Sequence, residues 1–133
     1  MSGKEILVDT NIVLYLLDGS DTLENFLQGK DIYLSFITEL ELLGFKSITA
    51  SEENKIKELL NDCSIIPLNN AIKENYIRLR RKYNLKLADS VIAATALVYD
   101  TPLITADKHF KNITELKLTT YQHDVTLAKR NKS

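Results

Sequence analysis

Four acidic residues stand where the sequence predicts strands to end or helices to begin. Asp9 directly follows the first apolar run of the chain, and one residue separates Asp107 from the end of the fourth run. Glu41 falls in the first turn of the helix predicted after the second run, and Asp89 falls near the start of an alanine-rich helix. In a parallel sheet the strand ends and the starts of the crossover helices share one edge. We therefore expect the four carboxylates to converge on one cleft.

A cluster of this kind is suited to binding a divalent cation. Carboxylates a few ångströms apart raise one another's pKa, so four of them together are unfavourable unless a cation neutralises them. Oxygen ligands without a histidine or thiol partner favour Mg²⁺ or Mn²⁺ over zinc. Such ions can lower the pKa of bound water and stabilise the leaving oxygen of a phosphodiester. The predicted chemistry is hydrolysis of a nucleic-acid backbone.

Each acid also has a purely structural explanation. Glu41 could be the N3 residue of a capping box opened by Thr38. Asp89 could cap its helix or complement the helix dipole, and Asp107 could be an ordinary turn residue. Asp9 is the hardest to explain in this way, because an acid directly after a buried strand must desolvate a charge.

The elements that position these acids can be predicted from apolar patterning. Short apolar runs predict strands at 6–8, 32–34, 64–66, 103–105 and 116–118. Helical periodicity is clearest over 71–83, and the alanine-rich segment 87–99 predicts a helix that lies close on a sheet. Predicted helix N-caps are Asp21, Thr38 and Ser51, and Gly44 is a predicted helix end. Strands alternating with helices favour an α/β domain with a mainly parallel sheet.

Composition limits the class of protein. With 133 residues, 44% hydrophobic and 26% charged, the chain is expected to form one globular domain over 1–124, followed by a basic, poorly ordered tail at 125–133. Seventeen basic and 18 acidic side chains give a net charge of -1, unlike a protein that coats nucleic acid. The single cysteine, Cys63, fits a reducing cytoplasm. No apolar stretch predicts a secretory signal or a membrane span.

Four blocks of the sequence, taken in order, resemble the successive motifs of PIN-domain ribonucleases. They are VDTN at 8–11, SFITELELLG at 35–44, LADSVIAATA at 87–96 and LITADKHF at 103–110. More narrowly, the chain is similar to the VapC-type toxins of toxin–antitoxin pairs, over nearly its whole length. The resemblance implies a three-layer α/β/α domain with a central sheet of about five strands. It also implies RNA cleavage that depends on Mg²⁺ or Mn²⁺, a homodimer, and an antitoxin partner whose C-terminal segment occludes the acidic cleft.

The resemblance also implies roles for particular residues. The family's four acidic positions, which bind metal and carry catalysis, correspond to Asp9, Glu41, Asp89 and Asp107. Asp9 and Asp89 would be the firmest metal ligands, and Asn11 and Thr105 match polar positions that support the site. Glu39 is a second acid in the same block, but residues two apart on a helix are separated by about 200°, so only one can face the cleft. The motif spacing favours Glu41.

A basic run adds candidates for RNA contact. The helix predicted over 71–83 carries Arg78, Arg80, Arg81 and Lys82. These side chains could contact phosphates beside the acidic cleft, since an enzyme that cuts RNA must hold a polyanion near its own carboxylates. The alternative is an ordinary solvated helix face.

Three other functions remain open from the residues. One is a catalytically silent PIN-type domain that binds RNA or serves as a scaffold. An aspartyl-phosphate phosphatase would need a second acid two positions after Asp9, where this chain has Asn11. A receiver-like switch would need a phosphorylatable aspartate after the third strand, and the segment 64–69 contains none.

Overall fold

Five strands form one parallel sheet, as the apolar runs predict. The computed structural model describes residues 3–122. Within them the strands are Glu5–Val8 (β1), Asp31–Ser35 (β2), Ser64–Ile66 (β3), Leu103–Thr105 (β4) and Leu118–Thr120 (β5). Their order in the sheet is β3-β2-β1-β4-β5, and each of the four neighbouring pairs is parallel. β1 is therefore the central strand, with β2 on one side and β4 on the other.

Helices connect these strands. They are Thr10–Leu17 (α1), Asp21–Leu27 (α2), Phe36–Leu43 (α3), Ala50–Asn61 (α4), Asn70–Lys82 (α5) and Leu87–Tyr99 (α6), with a 3₁₀ helix at Lys108–Asn112. The bounds of α6 agree with the predicted helix over 87–99. Among the helices of residues 3–122, none is both long enough and apolar enough to cross a membrane.

The sheet separates two hydrophobic cores. Leu7 and Leu103 pack into one core with residues of α5 and α6. Ile6, Val8 and Ile104 pack into the other with residues of α1, α2 and α4. Successive side chains of a strand face opposite sides, so burial on both faces explains why the strand sequences are continuously apolar. The predicted three-layer α/β/α fold with a mainly parallel sheet of about five strands is confirmed.

Three of the predicted helix starts are wrong. The N-cap of α2 is Ser20 rather than Asp21, and the N-cap of α4 is Thr49 rather than Ser51. The N-cap of α3 is Ser35, whose hydroxyl accepts a hydrogen bond from the backbone N–H of Ile37. In each case a residue one to three positions earlier has the extended backbone that capping requires.

Two predicted ends are also tested by the structure. Gly44 is the C-cap of α3, and its backbone N–H donates to the carbonyl of Leu40, which confirms the predicted helix end. The last strand begins at Leu118, two residues later than predicted, because the backbone N–H of Leu116 is taken up by a turn to Ile113. The predicted tail at 125–133 lies outside the described residues.

Candidate active site

Asp9 lies at the centre of the sheet's carboxyl edge. It is the N-cap of α1, immediately after β1, and only 4% of it is exposed. Its Oδ1 accepts a hydrogen bond of 2.8 Å from the backbone N–H of Thr10, and its Oδ2 accepts one of 2.6 Å from the hydroxyl of Thr105. Both oxygens of this buried carboxylate are therefore held, which satisfies the requirement that buried charge be hydrogen-bonded.

Thr105 links two of the acids. It is the last residue of β4, fully buried, and its hydroxyl donates to Asp9 while accepting a 3.0 Å hydrogen bond from the backbone N–H of Asp107. The neighbouring strands set this contact, because Val8 of β1 is in register with Ile104 of β4. The structure thus places Thr105 in direct contact with the acidic cluster.

Glu41 reaches the same region from α3. Its Oε1 accepts a 2.8 Å hydrogen bond from the hydroxyl of Thr10, which also lies 3.0 Å from the hydroxyl of buried Thr38. Because α3 begins at Phe36, Glu41 lies in the second turn and not the first. The capping-box explanation of Glu41 is therefore wrong: Ser35 caps the helix, and Thr38 lies inside it.

Neighbouring polar residues are placed differently from expectation. Asn11, a predicted supporting residue, is exposed in the first turn of α1, and it is Thr10 whose hydroxyl donates a hydrogen bond to Glu41. Sequence reasoning missed Thr10, although a hydroxyl residue next to the central acid was a usable signal. Glu39 is half-buried, and the contact to the β1–α1 turn is made by Glu41 rather than Glu39.

Asp89 lies in the first turn of α6, where the N-cap Lys86 makes no capping hydrogen bond through its side chain. The pKa of Asp89 is raised to about 6, chiefly by burial. The negative charges of Asp9, Asp107 and Glu41 contribute to this rise, and the charge of Lys86 partly opposes it. Burial likewise raises the pKa of Asp9, against the opposing effect of its hydrogen bonds with Thr105 and Thr10. Asp89 is therefore near enough to the other three acids to be repelled by their charges, and Asp9 is near enough to be repelled by Asp107 and Glu41.

Asp107 performs a structural role as well. It is the N-cap of the 3₁₀ helix, and its Oδ1 accepts a 2.9 Å hydrogen bond from the backbone N–H of His109. The same oxygen lies 2.7 Å from Nδ1 of His109, whose ring is otherwise exposed. The turn explanation of Asp107 thus holds alongside its place in the cluster. The contact with the histidine was not expected from sequence.

Two of the acids line an open cleft of about 410 Å³. Its wall is formed by Arg80, Asn84, Leu85, Lys86, Asp89, Asp107 and His109. A larger cavity of about 560 Å³ between α1, α2 and α4 has a largely apolar lining and contains none of the four acids. The smaller cleft is therefore part of the candidate active site, although Asp9 and Glu41 are not among its lining residues.

The predicted RNA-contacting residues are not equivalent. Arg78 and Lys82 lie 3.1 Å and 3.9 Å from the carboxylate of Glu115, to which they are ion-paired. Arg81 is exposed on α5, whereas Arg80 lines the cleft. Of the four, only Arg80 is a lining residue of the candidate site.

The donor set fits a hard divalent cation. Among residues 3–122, no three acidic, histidine or cysteine side chains are placed to hold one metal ion together. Mg²⁺, however, is usually bound by one or two carboxylates, with water and substrate phosphates completing its octahedron. Four mutually repelling carboxylates with a raised pKa at Asp89 supply such ligands and would be stabilised by a cation.

Comparison with known proteins gives one family and several solved structures. The family model described as "PIN domain" matches residues 6–116. A chain of a toxin–antitoxin complex from Klebsiella pneumoniae is 32% identical with a TM-score of 0.76, covering 89% of this chain and 99% of that one. VapBC-1 from nontypeable Haemophilus influenzae is 26% identical, with a TM-score of 0.76 and coverage of 87% and 97%. VapBC2 from Rickettsia felis, bound to a promoter DNA fragment, shares the fold at 23% identity and a TM-score of 0.80, covering 89% and 99%. Among curated proteins no relative matches.

Proposed function

Because this chain belongs to the PIN domain family, we propose that it is a metal-dependent endoribonuclease and the toxin of a toxin–antitoxin pair. The observation that carries the proposal is the gathering of acids at one edge of the sheet. Thr105 links Asp9 with Asp107, and Thr10 links Asp9 with Glu41. Asp89 lines the cleft together with Asp107. The reaction is hydrolysis: water attacks phosphorus, and the bond from phosphorus to the leaving ribose oxygen breaks.

The cofactor in this proposal is Mg²⁺ or Mn²⁺. When bound, the ion supplies a water of lowered pKa and stabilises the leaving oxygen. Asp9 would be the rigid ligand, because both of its oxygens are already oriented by hydrogen bonds. Asp89 would be the second ligand, and because its pKa is raised to about 6, protons would compete with the cation there at mildly acidic pH. Glu41 and Asp107 would complete the shell directly or through water.

Two supporting residues keep the acids in place. Thr105 holds Asp9 with its hydroxyl and the backbone of Asp107 with its oxygen. Thr10 holds Glu41 against the turn that follows β1. Both are positioning residues, since they act through the carboxylates and not on the substrate. Asn11 remains a proposed supporting residue from the family resemblance.

We also propose an antitoxin partner, a homodimer and a cytoplasmic location. The solved structures at 32% and 26% identity are a toxin–antitoxin complex and VapBC-1, which supports a protein partner. That this partner occludes the acidic cleft is implied by the family resemblance. The Cys63 thiol is half-buried, and burial raises its pKa to about 11, so it stays protonated and unreactive. Light scattering of the purified chain, alone and with the protein encoded beside it, measures both assembly states.

Cleavage of an RNA panel with Mg²⁺, with Mn²⁺ and with EDTA tests the activity. We expect cleavage only with a divalent ion, and its loss in Asp9→Asn. Asp18→Asn is the matched control, because Asp18 is an exposed acid at the other end of α1. Cleavage that persists in Asp9→Asn would contradict the proposal. RNA binding without cleavage under every ion would favour the catalytically silent PIN-type scaffold.

A further inference from the structure

The lining of the cleft carries positive and neutral polar groups as well as the two acids. Arg80 projects from α5, Asn84 and Lys86 lie in the segment between α5 and α6, and His109 lies in the 3₁₀ helix. All four line the cavity of about 410 Å³ together with Asp89 and Asp107. The candidate active site is therefore continuous with a polar pocket that the catalytic proposal does not use.

Arg80 differs from the other basic residues of α5. Arg78 and Lys82 are four residues apart, share one helix face and pair with Glu115. Arg80 lies two residues from each and therefore about 200° around the helix. Within residues 3–122 it forms no ion pair, and its side chain is exposed at the cleft.

Among residues 3–122, Arg80 is not ion-paired with any of the four acids either. Its guanidinium lies in the cleft lining and is therefore available to an anion that enters the cleft. Its planar fork of donors matches the non-bridging oxygens of a phosphate.

We propose that Arg80, Asn84 and His109 form a subsite for the nucleotide next to the scissile bond of single-stranded RNA. Arg80 binds the phosphate of that nucleotide, since the two acids in the cleft lining repel phosphates and a positive side chain is needed beside them. Asn84 and His109 present an amide and a ring to an unpaired base, the form in which RNA sequence is usually read. This inference rests on the proposed nuclease function and specifies how its substrate is held.

RNA binding, measured under conditions without cleavage, tests the subsite separately from catalysis. The probe is a short fluorescein-labelled oligouridylate, titrated by anisotropy at several salt concentrations against the Asp9→Asn protein with Mg²⁺ present. In this background we expect Arg80→Gln to weaken binding about tenfold and to lower the slope of log affinity against log salt by about 0.7, the value for one single-strand phosphate contact. Arg80 is exposed, so its replacement leaves thermal unfolding unchanged.

Two variants serve as comparisons for Arg80→Gln. Lys55→Gln removes the same charge from an exposed position on α4, outside the cleft lining, and gives the effect of net charge alone. Arg81→Gln removes a neighbouring charge of α5 that does not line the cleft, and its effect should resemble that of Lys55→Gln. Equal losses for Arg80→Gln and Arg81→Gln, or no change of slope for Arg80→Gln, would overturn the subsite.

The contact of Asn84 with the base is tested by a separate measurement, the preference among RNA bases. Asn84→Ala should change the relative affinities for oligouridylate, oligoadenylate and oligocytidylate while leaving the salt slope unchanged. Unaltered preference among the three would overturn the base-reading part of the proposal. In active protein, Arg80→Gln should raise KM more than it lowers kcat. If the wild-type protein cleaves no RNA but Arg80→Gln still changes the slope, the nuclease proposal fails and the subsite stands.

Discussion

Replacing Asp89 by asparagine should make the metal-free protein more stable. The side chain is half-buried among like charges, and its pKa is about 6 instead of 3.8. Because each tenfold change in a proton equilibrium is worth about 1.4 kcal/mol, full transfer of this difference would destabilise the folded anion by about 3 kcal/mol. Solvent screens a side chain this exposed, so we halve the figure to about 1.5 kcal/mol.

The pH dependence of this effect has a definite sign. The folded chain binds the Asp89 proton more tightly than the unfolded chain does, so the contribution to stability is fully present below about pH 3.8 and lost as the pH rises through about 6. Asp89→Asn has no carboxyl group at this position, so its stability does not fall as the pH rises through about 6. The two proteins should therefore have similar free energies of unfolding in acid. At neutral pH the free energy of unfolding of Asp89→Asn should be higher than that of the wild type by about 1.5 kcal/mol.

Urea unfolding in EDTA, followed from acid to neutral pH, measures the difference. Asp31→Asn is the control, because Asp31 is an exposed acid that begins β2 at the opposite edge of the sheet. Saturating Mg²⁺ should then reverse the order, since a ligand at a hundredfold excess over its Kd stabilises the wild type by about 2.7 kcal/mol. A gap between wild type and Asp89→Asn that stays constant with pH would refute the reasoning.

Two further predictions concern the threonines that hold the acids. Thr105→Val removes the 2.6 Å hydrogen bond to buried Asp9, so the free energy of unfolding at neutral pH should fall by about 1–3 kcal/mol. Mg²⁺-dependent cleavage should fall with it. A urea midpoint equal to that of the wild type would contradict this. Thr10→Val frees Glu41 by removing a solvent-exposed hydrogen bond, so kcat should fall about tenfold while the unfolding midpoint stays nearly the same. Thr10→Ser, which keeps the hydroxyl, should retain cleavage, and equal losses in both variants would exclude this role for the hydroxyl.

The strands and the buried helix α6 could be predicted from sequence because burial on both faces leaves a direct pattern. Ile6, Leu7 and Val8 are all buried, Ile6 and Val8 in one core and Leu7 in the other. A strand buried on both faces needs an unbroken apolar run, so the sequence pattern follows directly from the burial. Asp9 could also be recognised from the sequence as a candidate site residue, because a charge directly after a buried strand costs free energy to desolvate. The same reasoning places Asp107 after β4.

Helix starts were less predictable because several neighbouring residues can cap. Ser35 and Thr38 are both good N-caps, and their sequence alone does not separate them. The choice depends on how far β2 extends, and Ser35 is still paired with Ile66 of β3. β2 therefore ends at Ser35 and α3 follows directly at Phe36, so Thr38 lies inside the helix with its hydroxyl against that of Thr10. The hydrogen bonding around Glu41 therefore follows from sheet pairing.

The strand order explains why acids so distant in sequence meet. β1 has β2 on one side and β4 on the other, so the order reverses beside β1 and leaves a crevice at the carboxyl ends of β1 and β4. Asp9 and Thr105 stand at that crevice, and their hydrogen bond joins the two strand ends. A slip of one residue between β1 and β4 would turn Thr105 to the other face and break it. The sheet therefore positions Asp9 rigidly, whereas Glu41 and Asp89 come from helices packed on it, so binding of a cation should move those two side chains more than Asp9.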